Sequence, residues 1–193
     1  MSEYSVPVGI SIRHIHLCQA DLETLFGAGH QLTSVKPLTQ PGQFAAEELV
    51  NLIGPKNSIS RVRILGPVRS ATQVEISRTD SFMLGVSAPV RDSGDLKGSA
   101  GIIIEGPMGR IELKEGVILA QRHVHLHSTE AAEMGVADKQ WASIKVGTER
   151  ALTFERVLIR VGANYARDFH LDSDEGNAAG VSTGDKAILI INR

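Results

Sequence analysis

Cysteine is almost absent. Cys18 stands alone in 193 residues, which excludes an intrachain disulfide framework and any multi-cysteine zinc site. Any metal ion must then be held by His, Asp, Glu or Asn. Neither sign of charge dominates, with 20 basic against 22 acidic residues spread along the chain, so nothing draws it to nucleic acid or an anionic membrane surface. No apolar run reaches the roughly 18 residues of a membrane span. The start MSEYSVPVG lacks the charged-then-apolar layout of a secretory leader. The expectation is a cytoplasmic protein with no nucleic-acid and no membrane partner.

Aromatic residues are also scarce, at 4%, so the core must be built from Val, Ile and Leu. These arrive in short runs punctuated by Gly and Pro, the pattern of a mainly β protein. Strands are expected at 6–12, 48–53, 60–65, 73–76, 102–105, 110–113, 117–121, 142–146, 152–161 and 187–191. ISRVRIL and QVEIS alternate as half-buried strands do. Helices fit only at 20–26, 80–84, 129–134 and 174–179.

One repeat organises the chain. GISIRHIHL (9–17) resembles VILAQRHVHL (117–126), an apolar run followed by Arg-His-x-His-Leu, and each leads into a helix-compatible stretch ending at Gly27 or Gly135. Seven His in 193 residues would give only about 0.25 His-x-His triplets by chance. Two copies in one frame imply pseudo-symmetric halves.

On a strand, residues i and i+2 share a face, so His14 with His16, and His123 with His125, each present two imidazoles side by side. Neutral imidazole is a good zinc ligand, and further ligands would come from elsewhere in the chain. Glu75 points away from its apolar neighbours Val74 and Ile76; it is either a third ligand or a salt-bridged strand acid. His170 precedes LDSDEGNAAG, where Asp172, Ser173 or Asp174 can cap a helix carrying Asn177. Ser128 reads as a helix cap, ending the strand at Leu126 and turning His127 away. His30, in the turn GAGHQ with no partner nearby in sequence, reads as a surface residue. Arg63 and Arg69, with Lys56 and Arg61, can grip phosphate groups or simply be solvated. Cys18, close to His16, reads as a helix-start residue rather than a nucleophile.

The blocks VGISIRHIHL, LTQPGQFAAEE, RILGPVRSATQVEISRTD, APVRDSGDLKGS, VILAQRHVHL and HLDSDEGNAAG, in this order, resemble the PduL-type phosphotransacylases, or phosphate propanoyltransferases, over nearly the whole chain. The resemblance implies a fold of two small β-barrels with short capping helices, pseudo-two-fold related, with the active site at their interface. Residues 1–12 and 121–193 would form one barrel, and 13–120 the other, with a small insertion near 27–47. It implies reversible transfer of a short acyl group, propanoyl or acetyl, between coenzyme A and inorganic phosphate, by direct zinc-assisted attack of phosphate on the thioester. Two zinc ions per subunit are implied, one on His14, His16 and Glu75, the other on His123, His125 and His170, with Asn177 completing or bordering that site. Arg69 would hold phosphate, and Ser11, Lys36 and Arg63 would contact coenzyme A. A homodimer is expected. The resemblance implies that members packed into a bacterial microcompartment usually carry an extra N-terminal helical segment; with about five residues before the first expected strand, packaging of this chain through such a segment is not expected.

Two other readings share these residues. β-barrels with His-x-His also describe cupin-like metal-dependent oxygenases and isomerases, but those place a Glu three to four residues after the pair, and Glu23 and Glu130 fall later. A non-catalytic metal-binding scaffold would need closed coordination and no substrate contact.

Overall fold

The computed structural model describes residues 2–191; Met1, Asn192 and Arg193, which the expected barrel boundaries take in, lie outside the described residues. The first half runs β1 (Ser2–Ser11), β2 (His14–His16), α1 (Gln19–Phe26), β3 (Ser34–Pro37), β4 (Phe44–Ile53), β5 (Ser58–Gly66), β6 (Gln73–Glu75), α2 (Arg78–Leu84), β7 (Val90–Arg91) and β8 (Ala100–Glu105). The second runs β9 (Arg110–Ala120), β10 (His123–His127), α3 (Ser128–Met134), β11 (Trp141–Val146), β12 (Leu152–Gly162), β13 (Asp168–Asp172), α4 (Ser173–Ala179) and β14 (Lys186–Ile191). The chain is mainly β, and the four helices among the described residues fall on the stretches expected to be helical. No helix among the described residues is long and apolar enough to cross a membrane.

The chain divides into two compact units, one of residues 1–11, 39–41 and 121–193, the other of 12–38 and 42–120. In the first unit six strands close a barrel in the order β1-β13-β10-β12-β11-β14. In the second, β4-β5-β2-β6-β9 is closed by β8, which pairs with both β4 and β9, while β3 and β7 are appended. Closure leaves no unpaired edge within either six-strand ring. The rings repeat one pattern of neighbours. β10 is parallel to β12 and antiparallel to β13, as β2 is parallel to β5 and antiparallel to β6. The first strand of each half is exchanged: β1 closes the ring built from the second half, and β9 closes the ring built from the first.

Each ring is filled by its own apolar cluster. Ile15, Leu17, Leu52, Ile64 and Ile104 are fully buried in one, and Val6, Val124, Leu126, Ile144, Ile159 and Phe169 in the other. Aliphatic side chains on alternating strand positions suffice to fill small barrels, which explains how the fold manages with few aromatics. Pro7 lies where β1 stops pairing with β14 and starts pairing with β13, a place where its missing N–H costs little.

Five strands among the described residues lie outside the expected ranges: β3, β7 and β13, together with β2 and β10, which carry the two His-x-His pairs. β7 has only two residues, and β13 reads DFHLD with an acid at each end, so neither offers an apolar run. The runs at 110–113 and 117–121 merge into β9, with Gly116 (φ 137°) between them and a register shift opposite, a bulge where a break was expected.

Candidate metal centres

In the unit of residues 12–38 and 42–120, β2 lies between β5 and β6, and register sets His14 opposite Glu75. His14 and His16 are both buried, their ring centroids 5.1 Å apart and nearly perpendicular. His14 Nδ1 is 2.8 Å from the Ile12 carbonyl oxygen, and His16 Nδ1 is 3.1 Å from that of Leu65. A carbonyl only accepts, so each Nδ1 carries a proton; a neutral ring then keeps its lone pair on Nε2, and His14 when protonated turns an Nε2–H toward Glu75. His14 Nε2 is 3.5 Å from Glu75 Oε2, and one ligand atom from each of the three residues lies within 4.8 Å of the others.

The electrostatics suit a cation. Burial by itself would raise the Glu75 pKa, but the positive charges of His14, His16 and Arg69, with the His14 hydrogen bond, hold it well below the usual carboxylate range. Burial, then the charges of His14 and Arg69, push His16 down to about 3. His14 moves upward, because Glu75 outweighs its burial. A buried carboxylate beside an imidazole kept neutral is the two-His-one-carboxylate donor set of many zinc sites.

Arg69 adjoins this group. Its backbone N–H donates to the Leu17 carbonyl at 2.8 Å, and its Nη1 donates to Ser93 Oγ at 3.2 Å. The Ser93 hydroxyl accepts from Gln73 Nε2 (2.8 Å) and donates to Glu75 Oε1 (3.2 Å), so it links the arginine to the candidate ligand. Gln73 holds the loop beyond, taking the Gly94 N–H at 2.8 Å. Sequence reasoning missed Ser93 and Gln73. Gln73 stands on the same strand face as Glu75, a signal present in the alternation of QVEIS; Ser93 sits in an ordinary Asp-Ser-Gly turn that carried none.

The second group, in the other unit, repeats the first. His123 pairs in register with His170 and His125 with Asp168. The three imidazoles lie with centroids 4.7, 5.1 and 5.0 Å apart. His123 Nδ1 meets the Gln121 carbonyl at 2.8 Å, as His14 meets Ile12. Its Nε2 therefore turns a lone pair toward His125 Nε2, 3.0 Å away, while His125 Nδ1 is buried with no hydrogen-bond partner. If His125 carries its proton on Nε2, Nδ1 is a buried orphan acceptor; if on Nδ1, two lone pairs face each other. Binding of both Nε2 lone pairs to a cation removes that repulsion, so the residues fit a divalent metal. Burial, then the charges of His123, His170 and Arg160, hold His125 far below the ordinary imidazole value. Asp168 Oδ2 is 2.9 Å from His170 Nε2 and orients that ring. A Cβ on Gly9 would come 2.9 Å from both Asp168 Oδ2 and His170 Cδ2, so glycine leaves the space these side chains occupy.

Other expected residues lie as follows. Ser11 is on β1, paired with Asp172; Lys36 is exposed on β3; Arg63, opposite His14 on β5, donates Nη1 to the Ala46 carbonyl at 2.7 Å. Asn177 is exposed on α4, whose cap is Asp172. Cys18 is half-buried at the start of α1. Two expectations need correction. β10 continues to His127, and His127 rather than Ser128 caps α3, its Nδ1 accepting the Thr129 N–H. His30 has a partner after all: it bonds Glu48 at 2.9 Å and stacks on Phe26.

A family model described as phosphate propanoyltransferase matches residues 7–182. A phosphate propanoyltransferase of Thermotoga maritima is 54% identical over 97% of this chain and 90% of its own. That of Salmonella typhimurium is 48% identical over 93% and 86%, and that of Clostridioides difficile 45% over 97% and 90%. With a family model over residues 7–182 and a relative 54% identical over 97% of this chain, the chain belongs to the phosphate propanoyltransferase family.

Proposed function

We propose that this phosphate acyltransferase moves a propanoyl or acetyl group reversibly between coenzyme A and inorganic phosphate by direct displacement, with zinc on both ligand groups. The observation that carries the reading is the link from Arg69 through Ser93 to Glu75. A guanidinium fork matched to phosphate oxygens is thereby held beside a metal-ligand set. In the forward direction a phosphate oxygen bonds to the thioester carbonyl carbon and the C–S bond breaks, the thiolate leaving with the electron pair. Arg69 binds and orients the phosphate, and Ser93, accepting from Arg69 Nη1, fixes the direction of the fork. Glu75, ionised and held by Gln73 and Ser93, and the neutral imidazoles keep their donor atoms aimed at one point. Bound zinc supplies the positive charge that stabilises the developing oxyanion and thiolate. The chain itself need not be acylated, and Cys18 has no part in the step.

The test is phosphate-dependent thiol release from propanoyl- and acetyl-coenzyme A, before and after chelation and zinc restoration. Release that needs phosphate, falls with chelator and returns with zinc is expected. Arg69→Ala should raise the KM for phosphate by roughly tenfold or more, while Cys18→Ala keeps turnover. Thiol release from zinc-loaded protein that ignores phosphate, or acyl-enzyme trapped on Cys18, would overturn the reading.

A further inference from the structure

An arginine precedes the histidines in both boxes, and the mechanism above uses neither Arg13 nor Arg122. Both reach the same structural position. Arg13 Nε donates to Asp80 Oδ2 at 2.9 Å and Nη2 lies 2.7 Å from Oδ1 as an ion pair, so the guanidinium faces both carboxylate oxygens. Arg122 Nη1 meets Glu175 Oε1 at 2.6 Å, and its Nε donates to the Glu155 carbonyl at 2.9 Å. Asp80 and Glu175 each occupy the third position of the helix that follows a candidate third ligand. That helix is capped two residues after the ligand, by Ser77 after Glu75 and by Asp172 after His170. In both cases the acid also accepts the N–H of the cap residue, at 3.2 Å.

A closed circuit results in each unit. It runs from the arginine to the neighbouring His14 or His123, across the strand ladder to Glu75 or His170, two residues on to the cap, and back through the acid to the arginine. The ladder fixes the two backbones, and the ion pair fixes the segments on which they leave the ladder. Asp80 is fully buried and Arg13 is 41% exposed, so the acid is locked and the arginine reaches to it from the surface. The circuit forms twice with different acids, one Asp and one Glu, which argues for a shared constraint on the ligand geometry.

We propose that Arg13 and Arg122 are positioning residues for the metal centres, Arg13 setting the affinity of the His14–His16–Glu75 group and Arg122 that of the His123–His125–His170 group. The proposal rests on the reading that both groups bind a divalent cation. A role limited to helix anchoring would lower stability without favouring one metal group over the other.

Full-length wild type, Arg13→Met, Arg122→Met, Arg13→Lys and Asp80→Asn are titrated with zinc against a chromophoric chelator. Cobalt absorption spectra identify which ligand group fills, since one group contains a carboxylate and the other does not. Urea unfolding of the metal-free proteins is measured alongside. Arg13→Met and Asp80→Asn should each weaken one ion by about tenfold and leave the second as in wild type, and Arg122→Met should do the reverse. Arg13→Lys, which keeps the charge and loses the fork, should recover part of the loss. If Arg13→Met does not fold, Arg13→Lys and Asp80→Asn carry the same comparison. Unaltered affinities, or equal weakening of both ions, overturn the proposal. Wild-type protein that takes up no ion overturns the metal reading and the proposal with it, a result distinct from unaltered affinities in a chain that binds two.

Discussion

Glu48 lies buried on β4, where its carboxylate meets His30 Nε2 at 2.9 Å and accepts the Thr33 N–H at 3.0 and 3.1 Å. Burial by itself would raise its pKa above the ordinary 4.5, but the hydrogen bond from its own backbone N–H, then those from His30 and Thr33, prevail and lower it. The unfolded chain therefore binds the proton more readily than the folded one. The stability Glu48 supplies is complete above 4.5 and is lost as the pH falls through the lower folded value. Glu48→Gln should cost about 1 kcal/mol at neutral pH, with the gap to wild type closing on acidification. Urea midpoints of both proteins across that range decide it; a gap independent of pH would assign the cost to packing. Neither Glu48 nor His30 was legible as a pair, since 18 residues separate them. The candidate ligands were, because a repeated Arg-His-x-His is visible without knowing which strands are neighbours. Asp168 gains its role from strand register and Ser93 from the turn after β7, and nothing in their local sequence marks either.

The helices among the described residues were legible as stretches, though the cap expected at Ser128 falls at His127. Ser77, His127 and Asp172 each take a backbone N–H of the first turn, and each is answered by an acid, Asp80, Glu130 or Glu175, that returns to the cap's own N–H. α1 departs from this, because Cys18 makes no side-chain cap bond. Thr72, from the loop between β5 and β6, serves instead, accepting the Cys18 N–H at 3.0 Å and donating to Asp21. Helices this short have little intrinsic stability and depend on such bonds. Ser77→Ala should therefore cost about 1 kcal/mol in urea unfolding, and a cost near zero would show that Arg13 alone holds α2. Strands were harder to read than helices wherever they were short or carried charge, as β7 and β13 do, because a two-residue or acid-ended strand has no apolar period to detect.

At the scale of the molecule, the barrels followed from the repeat and the short apolar runs, and family resemblance supplied their number. The exchange of first strands predicts how the chain behaves when divided. The turn Gly106 to Gly109 lies between β8 and β9, closed by a 2.8 Å bond from the Gly106 N–H to the Gly109 carbonyl, with Met108 exposed. Chains ending at Pro107 and starting at Met108 would each lack one strand of their own ring. Neither should show a cooperative unfolding transition alone, and mixing them should restore it; a cooperative transition from the second piece by itself would contradict this. In evolutionary terms, a gene for a single repeat would encode a barrel with one stave missing and a spare stave to offer. Two copies could complete one another only by trading, as in a domain-swapped dimer. The present chain has the connectivity of such a dimer joined end to end, with the partner's contribution made permanent by the peptide bond.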